Sequence, residues 1–174
     1  MRRKGRGSRG GACLLLAFVL LTGCGAGSAA QPGATVAATP TRELARDFTL
    51  TTLTGAPATL SDYRGQWVIL NFWATWCPPC VEEMPYLNQL AAERDLIVLG
   101  VNLNEDRERV AAFVAEQGID FPTLLAPDEI TLLFYGVRGL PRTFVIAPDG
   151  TLAHTAIGAL RPAEFSAWLD AQGL

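Results

Sequence analysis

Two thiols stand close together in Thr75-Trp-Cys-Pro-Pro-Cys80, with two prolines between them. A cysteine pair at this spacing can exchange with disulfides or close a disulfide of its own. A structural bridge here would close a very small loop and constrain little of the unfolded chain. Stability alone is therefore a poor reason for the pair. A near-continuous apolar run, Trp67 to Trp73, precedes it, and Met84, Leu87 and Leu90 follow at helical spacing. Cys77 thus ends the link from a buried strand and opens a helix. Pro78 and Pro79 fall in the first turn, where a missing N–H costs little because first-turn donors have no partner within the helix. The dipole and free N–H groups of a helix start favour a thiolate. The prolines remove two of those donors, leaving the N–H groups of Cys80 and Val81. The expectation is a modestly lowered Cys77 pKa and a couple that works as a reductant, since a strong oxidant needs a much stabilised reduced form.

One carboxylate is singled out by position. Residues on a helix advance about 100° each, so Glu83 stacks one turn beyond Cys80 while Glu82 points elsewhere. Glu83 there can take the proton from Cys80. It also fits as an ordinary first-turn acid favoured by the dipole. Rival chemistries fail on counting. Zinc needs about four ligands, and the sole histidine, His154, reads as an ordinary strand residue. Haem attachment needs a histidine directly after the second cysteine, where Val81 stands. The threonine and proline pattern of a peroxide-reducing cysteine is absent, with Leu70 and Ala74 in those places. No metal or organic cofactor is expected.

The chain has 174 residues, which suits one domain with additions. Residues 1–23 read as an export signal, with Arg2, Arg3, Lys4, Arg6 and Arg9 before the apolar run Ala12 to Leu21. That run is too short to span a bilayer as a helix. Leu21-Thr-Gly-Cys24 follows. Residues 24–43 hold the uncharged stretch Gly25 to Thr41, expected to be a flexible tether spanning on the order of 25 Å. Beyond the signal, nine arginines face 17 acidic residues, a net charge of −8. That argues against a nucleic-acid partner, which needs a basic face.

The domain is expected over residues 44–174. Phe48 to Leu53 alternates and meets Thr54-Gly55, a hairpin signal. Strands are expected at Trp67–Trp73, Leu96–Val101 and Phe121–Leu125. Helices are expected from Cys77, through Val110, Phe113, Val114 and Gln117 with a stop at Gly118, at Asp128–Tyr135, and from Pro162 with Phe165, Trp168 and Leu169 on one face. Arg142–Ala147 and Thr151–Ile157 flank the turn Pro148-Asp149-Gly150. This order predicts an α/β fold, a mixed sheet flanked by helices on both faces.

Asn71-Phe-Trp-Ala-Thr-Trp-Cys-Pro-Pro-Cys80, Glu82-Glu83-Met84-Pro85 and Gly139-Leu-Pro-Arg-Thr-Phe-Val-Ile146 together resemble thioredoxin-fold proteins of the TlpA/ResA type, within the wider AhpC/TSA and Redoxin superfamily. The resemblance implies a thioredoxin fold with an N-terminal β-hairpin extension and a central insertion over Asn104–Asp128. It implies an exposed nucleophile at Cys77, a resolving thiol at Cys80 and an active-site acid at Glu83. Pro141 would be a cis proline facing the pair, and Pro85 the proline that kinks the active-site helix. Trp76, Pro78, Pro79, Leu140 and Pro141 would form the substrate-docking surface. Asn71 stands where ordinary thioredoxins carry a buried Asp. The residues around Cys24 resemble the lipobox of bacterial lipoproteins, which implies cleavage before Cys24, lipid on its sulfur and a place on the extracytoplasmic face of the cell membrane. The expected partners are exported proteins with disulfides, apocytochrome c cysteines among them, and a membrane electron donor; the chain is expected to act as a monomer. A thiol oxidase or isomerase on the same fold, and a lipoprotein binding module with an inert cysteine pair, remain as alternatives.

Overall fold

The computed structural model describes residues 43–125 and 129–174. The expected signal, Cys24 and the tether up to residue 42 lie outside the described residues, as does Asp128 at the end of the expected insertion.

The chain runs β1 (Thr49–Thr52), β2 (Pro57–Thr59), a short 3-10 turn (Leu60–Tyr63), β3 (Trp67–Trp73), α1 (Pro78–Glu93), β4 (Leu96–Asn102), α2 (Arg107–Gln117), β5 (Thr123–Leu125), α3 (Glu129–Phe134), β6 (Arg142–Ile146), β7 (Leu152–Ile157) and α4 (Pro162–Ala171). The seven strands among the described residues join one sheet in the order β2-β1-β5-β4-β3-β6-β7. Strands β3, β4 and β5 are parallel, and the hairpins at both edges are antiparallel. The N-terminal hairpin extends the sheet by pairing β1 with β5.

Strands β3 and β4 are apolar along their length because both their faces are covered. Val68, Leu70 and Phe72 point into a core with Leu60, Leu99, Tyr135 and Phe144. Ile69 and Trp73 point the other way, into a core with Met84 and Leu87 of α1, Val110 of α2 and Leu169 of α4. Asn71 lies between Ile69 and Trp73 in the alternation, so its side chain faces α1. Burying an amide there costs free energy unless it finds partners.

Local chemistry fixes the element ends. Gly118 closes α2 in the left-handed conformation, with φ at 61°, a region where a Cβ is disfavoured. Asp106 caps the start of α2 by accepting from the N–H groups of Glu108 and Arg109. Gln117, expected on the inward stripe of α2, is exposed; Val110 carries the fully buried contact. Strand β5 starts at Thr123 rather than Phe121, because Pro122 has no N–H to give the ladder.

Candidate active site

Cys77 is the N-cap of α1, with extended backbone at φ −102° and ψ 99°. Pro78 and Pro79 are the first two helical residues, and both are exposed. Pro85 lies inside the helix. The two sulfurs are bonded, with an S–S distance of 2.01 Å and the Cα atoms 5.3 Å apart. The Cys80 N–H donates to Cys77 Sγ at 3.3 Å and to the Cys77 carbonyl at 3.0 Å. The Val81 N–H, expected to serve the sulfur, instead donates to the Cys77 carbonyl at 3.1 Å. It has entered the regular helical ladder, so among the described residues a single backbone donor reaches the sulfur.

The expectation of an exposed Cys77 needs correction. The residue is only 4 % exposed and Cys80 is 0 % exposed, because both belong to the apolar cluster with Trp73, Met84 and Leu87. Access comes through an open cavity of about 440 Å³ lined by Trp76, Cys77, Pro78, Pro79, Leu103 and the segment Val137 to Leu140. Cys77 lines it and Cys80 does not. Trp76 is 61 % exposed at its rim. The Leu140–Pro141 peptide bond is cis. Leu140 forms the wall, while Pro141 is buried and its carbonyl accepts from the Gly158 N–H at 3.0 Å. Val137, Arg138 and Leu103, which line the cavity too, were not legible as site residues, since no spacing rule links them to the cysteines.

Glu83 is buried at 5 % exposure, one turn beyond Cys80. Glu82 is exposed. Both Glu83 carboxyl oxygens are engaged. Oε1 accepts from Asn71 Nδ2 at 2.8 Å, and Oε2 accepts from the Leu160 N–H at 2.8 Å. The same Asn71 nitrogen donates to Thr143 Oγ1 at 2.9 Å, a contact set by the pairing of Asn71 with Thr143 across β3 and β6. Burial raises the Glu83 pKa above its ordinary 4.5, and the bonds from Leu160 and Asn71 offset that rise only in part. A carboxyl held this way takes up a proton more readily than one in water. The Asn71 Oδ1 atom has no partner among the described residues. An amide rotated end for end would present that oxygen to a protonated Glu83, so Asn71 can pair with either proton state.

A cysteine pair with one thiol on a cavity, its partner buried behind it and a proton-accepting acid one turn on can carry out dithiol–disulfide exchange. Residues 41–155 match the model of the AhpC/TSA family. The chain belongs to that family. It is a thiol-disulfide oxidoreductase of the ResA kind: it is 38 % identical over 129 residues to the thiol-disulfide oxidoreductase ResA of Geobacillus kaustophilus, covering 72 % of this chain and 74 % of the relative. Among solved structures it resembles a secreted Mycobacterium tuberculosis disulfide oxidoreductase homologous to DsbE, at 30 % identity and a TM-score of 0.64, with 71 % of this chain and 95 % of the other covered. It also resembles the exposed lipoprotein thioredoxin of Streptococcus pneumoniae, at 30 % identity and a TM-score of 0.62, with 72 % and 99 % covered. No described helix is long and apolar enough to cross a membrane.

Proposed function

We propose that this oxidoreductase reduces disulfides in exported proteins, working from the extracytoplasmic face of a membrane to which lipid on Cys24 tethers it. The observation that carries the direction is the single backbone N–H on Cys77 Sγ. A thiolate with few donors is a poorly stabilised thiolate, and a couple with a weakly stabilised reduced form gives electrons away. The lipobox-like Leu21-Thr-Gly-Cys24 at the end of the expected signal and the exposed lipoprotein among the structural relatives support the anchor.

The reaction balances as follows. The Cys77 thiolate attacks one sulfur of a substrate disulfide that lies in the cavity beside Trp76 and Leu140. A mixed disulfide forms, and the second substrate sulfur leaves as a thiolate and takes a proton. The Glu83 carboxylate takes the proton from the Cys80 thiol. The Cys80 thiolate then attacks Cys77 Sγ, closing the Cys77–Cys80 disulfide and releasing the first substrate sulfur, which is protonated in turn. Two electrons pass from the enzyme to the substrate. A membrane electron donor restores the dithiol. The Leu140 N–H and C=O lie outside the β6 ladder beside the cavity, where an extended substrate segment, such as the cysteine-bearing stretch of an apocytochrome c, can pair with them.

Equilibration of the pair against defined glutathione and dithiothreitol mixtures tests the direction. The expected midpoint lies toward the thioredoxin end of the scale, near about −270 mV, and away from the strong oxidant end at about −120 mV. A midpoint at the oxidant end would replace the reductase with an oxidase. The anchor has its own test: cells fed a lipid label should attach it to the wild-type chain, and Cys24→Ala should lose the label and leave the membrane fraction. Label retained by the alanine variant would exclude Cys24 as the attachment point.

A further inference from the structure

The loop that carries Trp76 and Cys77 is held by a carboxylate from the neighbouring loop at the same end of the sheet, since β3 and β4 run parallel with Trp73 opposite Asn102. Glu105 lies in the turn between β4 and α2, 30 residues beyond Thr75. Its Oε2 accepts from the Thr75 backbone N–H at 2.7 Å, and its Oε1 accepts from the Thr75 hydroxyl at 2.6 Å. Asn102 Nδ2 donates to Oε2 at 2.8 Å. Arg109 Nε lies 3.4 Å from Oε1 and donates to Thr75 Oγ1 at 3.1 Å. The Glu105 side chain is only 7 % exposed. Burial alone would raise its pKa; the hydrogen bonds from Thr75 and Asn102, with the nearby Arg109 charge, outweigh that and hold the carboxyl below its ordinary range. Charge-assisted bonds of this kind are about twice as strong as neutral ones.

The same turn is fastened a second time. The Leu103 N–H donates to the Trp73 carbonyl at 2.9 Å, and Asn104 takes the left-handed conformation, φ 49°, which folds Glu105 back toward Thr75. A non-glycine residue in that region is uncommon and points to a turn whose shape is used. Two walls of the cavity are therefore tied to each other: Trp76 and Cys77 follow Thr75, and Leu103 precedes Glu105 by two residues.

We propose that Glu105 is a positioning residue that clamps these two walls at the spacing an extended disulfide substrate needs, setting substrate docking without acting on the thiol chemistry. It rests on the reading of the cavity as the docking surface, and holds whichever direction the electrons move. A misplaced wall of about 1 Å is enough to matter for a docked reactant.

The test separates docking from thiol reactivity in the full-length reduced protein. One probe is a short synthetic peptide with an internal disulfide and apolar flanks; the other is iodoacetamide, which needs no docking and is applied where Cys77 is fully ionised. Glu105→Ala is expected to raise the peptide KM about tenfold, with kcat and the iodoacetamide rate changing less than about twofold. Thr75→Val removes the hydroxyl contact and leaves the backbone one, and should raise KM about threefold; it carries the test if the alanine variant does not fold. Glu105→Gln, keeping one acceptor, should recover part of the loss. Trp76→Ala reports on the docking surface itself. If Trp76→Ala raises KM while the Glu105 and Thr75 variants do not, the clamp alone falls. If none of them moves KM, the docking surface falls and takes the clamp with it. Peptide and iodoacetamide rates falling together in Glu105→Ala would assign the residue to thiol chemistry and overturn the proposal.

Discussion

Cys80→Ser should turn the enzyme into a trap that keeps its substrate. The reduced variant still presents the Cys77 thiol to the cavity, so the first exchange proceeds and a mixed disulfide forms. Its release then depends on thiols from solution. Well-oriented internal attack can reach an effective concentration of about 10⁵ M, far above any external thiol, so turnover should fall by more than about 10³-fold. The adduct should appear on non-reducing gels and in intact mass, on Cys77. Cys77→Ser should form no adduct and show no turnover, because Cys80 is fully buried and does not line the cavity. Cys80 packs in an apolar cluster with Met84 and Leu87, and a buried hydroxyl without a partner is unfavourable there. Cys80→Ala gives the same trap without that cost. Near-normal turnover in either Cys80 variant, or an adduct in Cys77→Ser, would reverse the assignment of the two sulfurs. Wild-type binding with no adduct at all would favour an inert binding module.

The parts of this site that could be read in the sequence are those that lie close along the chain. The apolar run Trp67–Trp73 had to be a strand covered on both faces, and it is. The prolines had to open a helix, and they occupy its first two positions. Glu83 and Glu82 were told apart by helical angle alone, and one is buried while the other is exposed. What spacing could not carry is everything decided across the sheet. Thr143 meets Asn71 only because β6 pairs with β3 in that register, and Leu160 reaches Glu83 from 77 residues away. Glu105 sits in a charged stretch, Asn104 to Arg109, that reads as an ordinary solvated turn. The cis state of the Leu140–Pro141 bond was implied by the family's motif and by nothing local, since only about 5 % of such bonds are cis. The fate of the Val81 N–H turned on whether the first helical bond closes at Cys77, and that depends on the cap geometry rather than on residue type.

Glu83→Gln should separate activity from stability in opposite directions. Without a proton acceptor beside Cys80, the attack that releases substrate loses its base, and the exchange rate at neutral pH should fall about 10²-fold, the lower end of what a general base contributes. Mixed disulfide should build up during turnover as a result, though less than in Cys80→Ser. The stability effect follows from the raised Glu83 pKa. Below the ordinary value of 4.5 the carboxyl is protonated in both the folded and unfolded chains and favours neither. As pH rises through that value, the unfolded chain releases its proton first and gains stability relative to the fold. The loss continues until pH passes the higher folded value and then levels off. Gln carries no charge to bury, so Glu83→Gln should match wild type in acid and exceed it at neutral pH. Its partners can accept the change: the Gln oxygen can take the Leu160 N–H, and its amide can donate to Asn71 Oδ1, the acceptor left without a partner in the wild type. Thermal melts across the range from pH 4 to pH 8, paired with exchange rates at each pH, read both effects. A variant that is less stable at neutral pH would mean that Glu83 serves the fold as a bonded anion. An unchanged rate would leave Cys80 to lose its proton to water, and Glu83 would have no part in the chemistry.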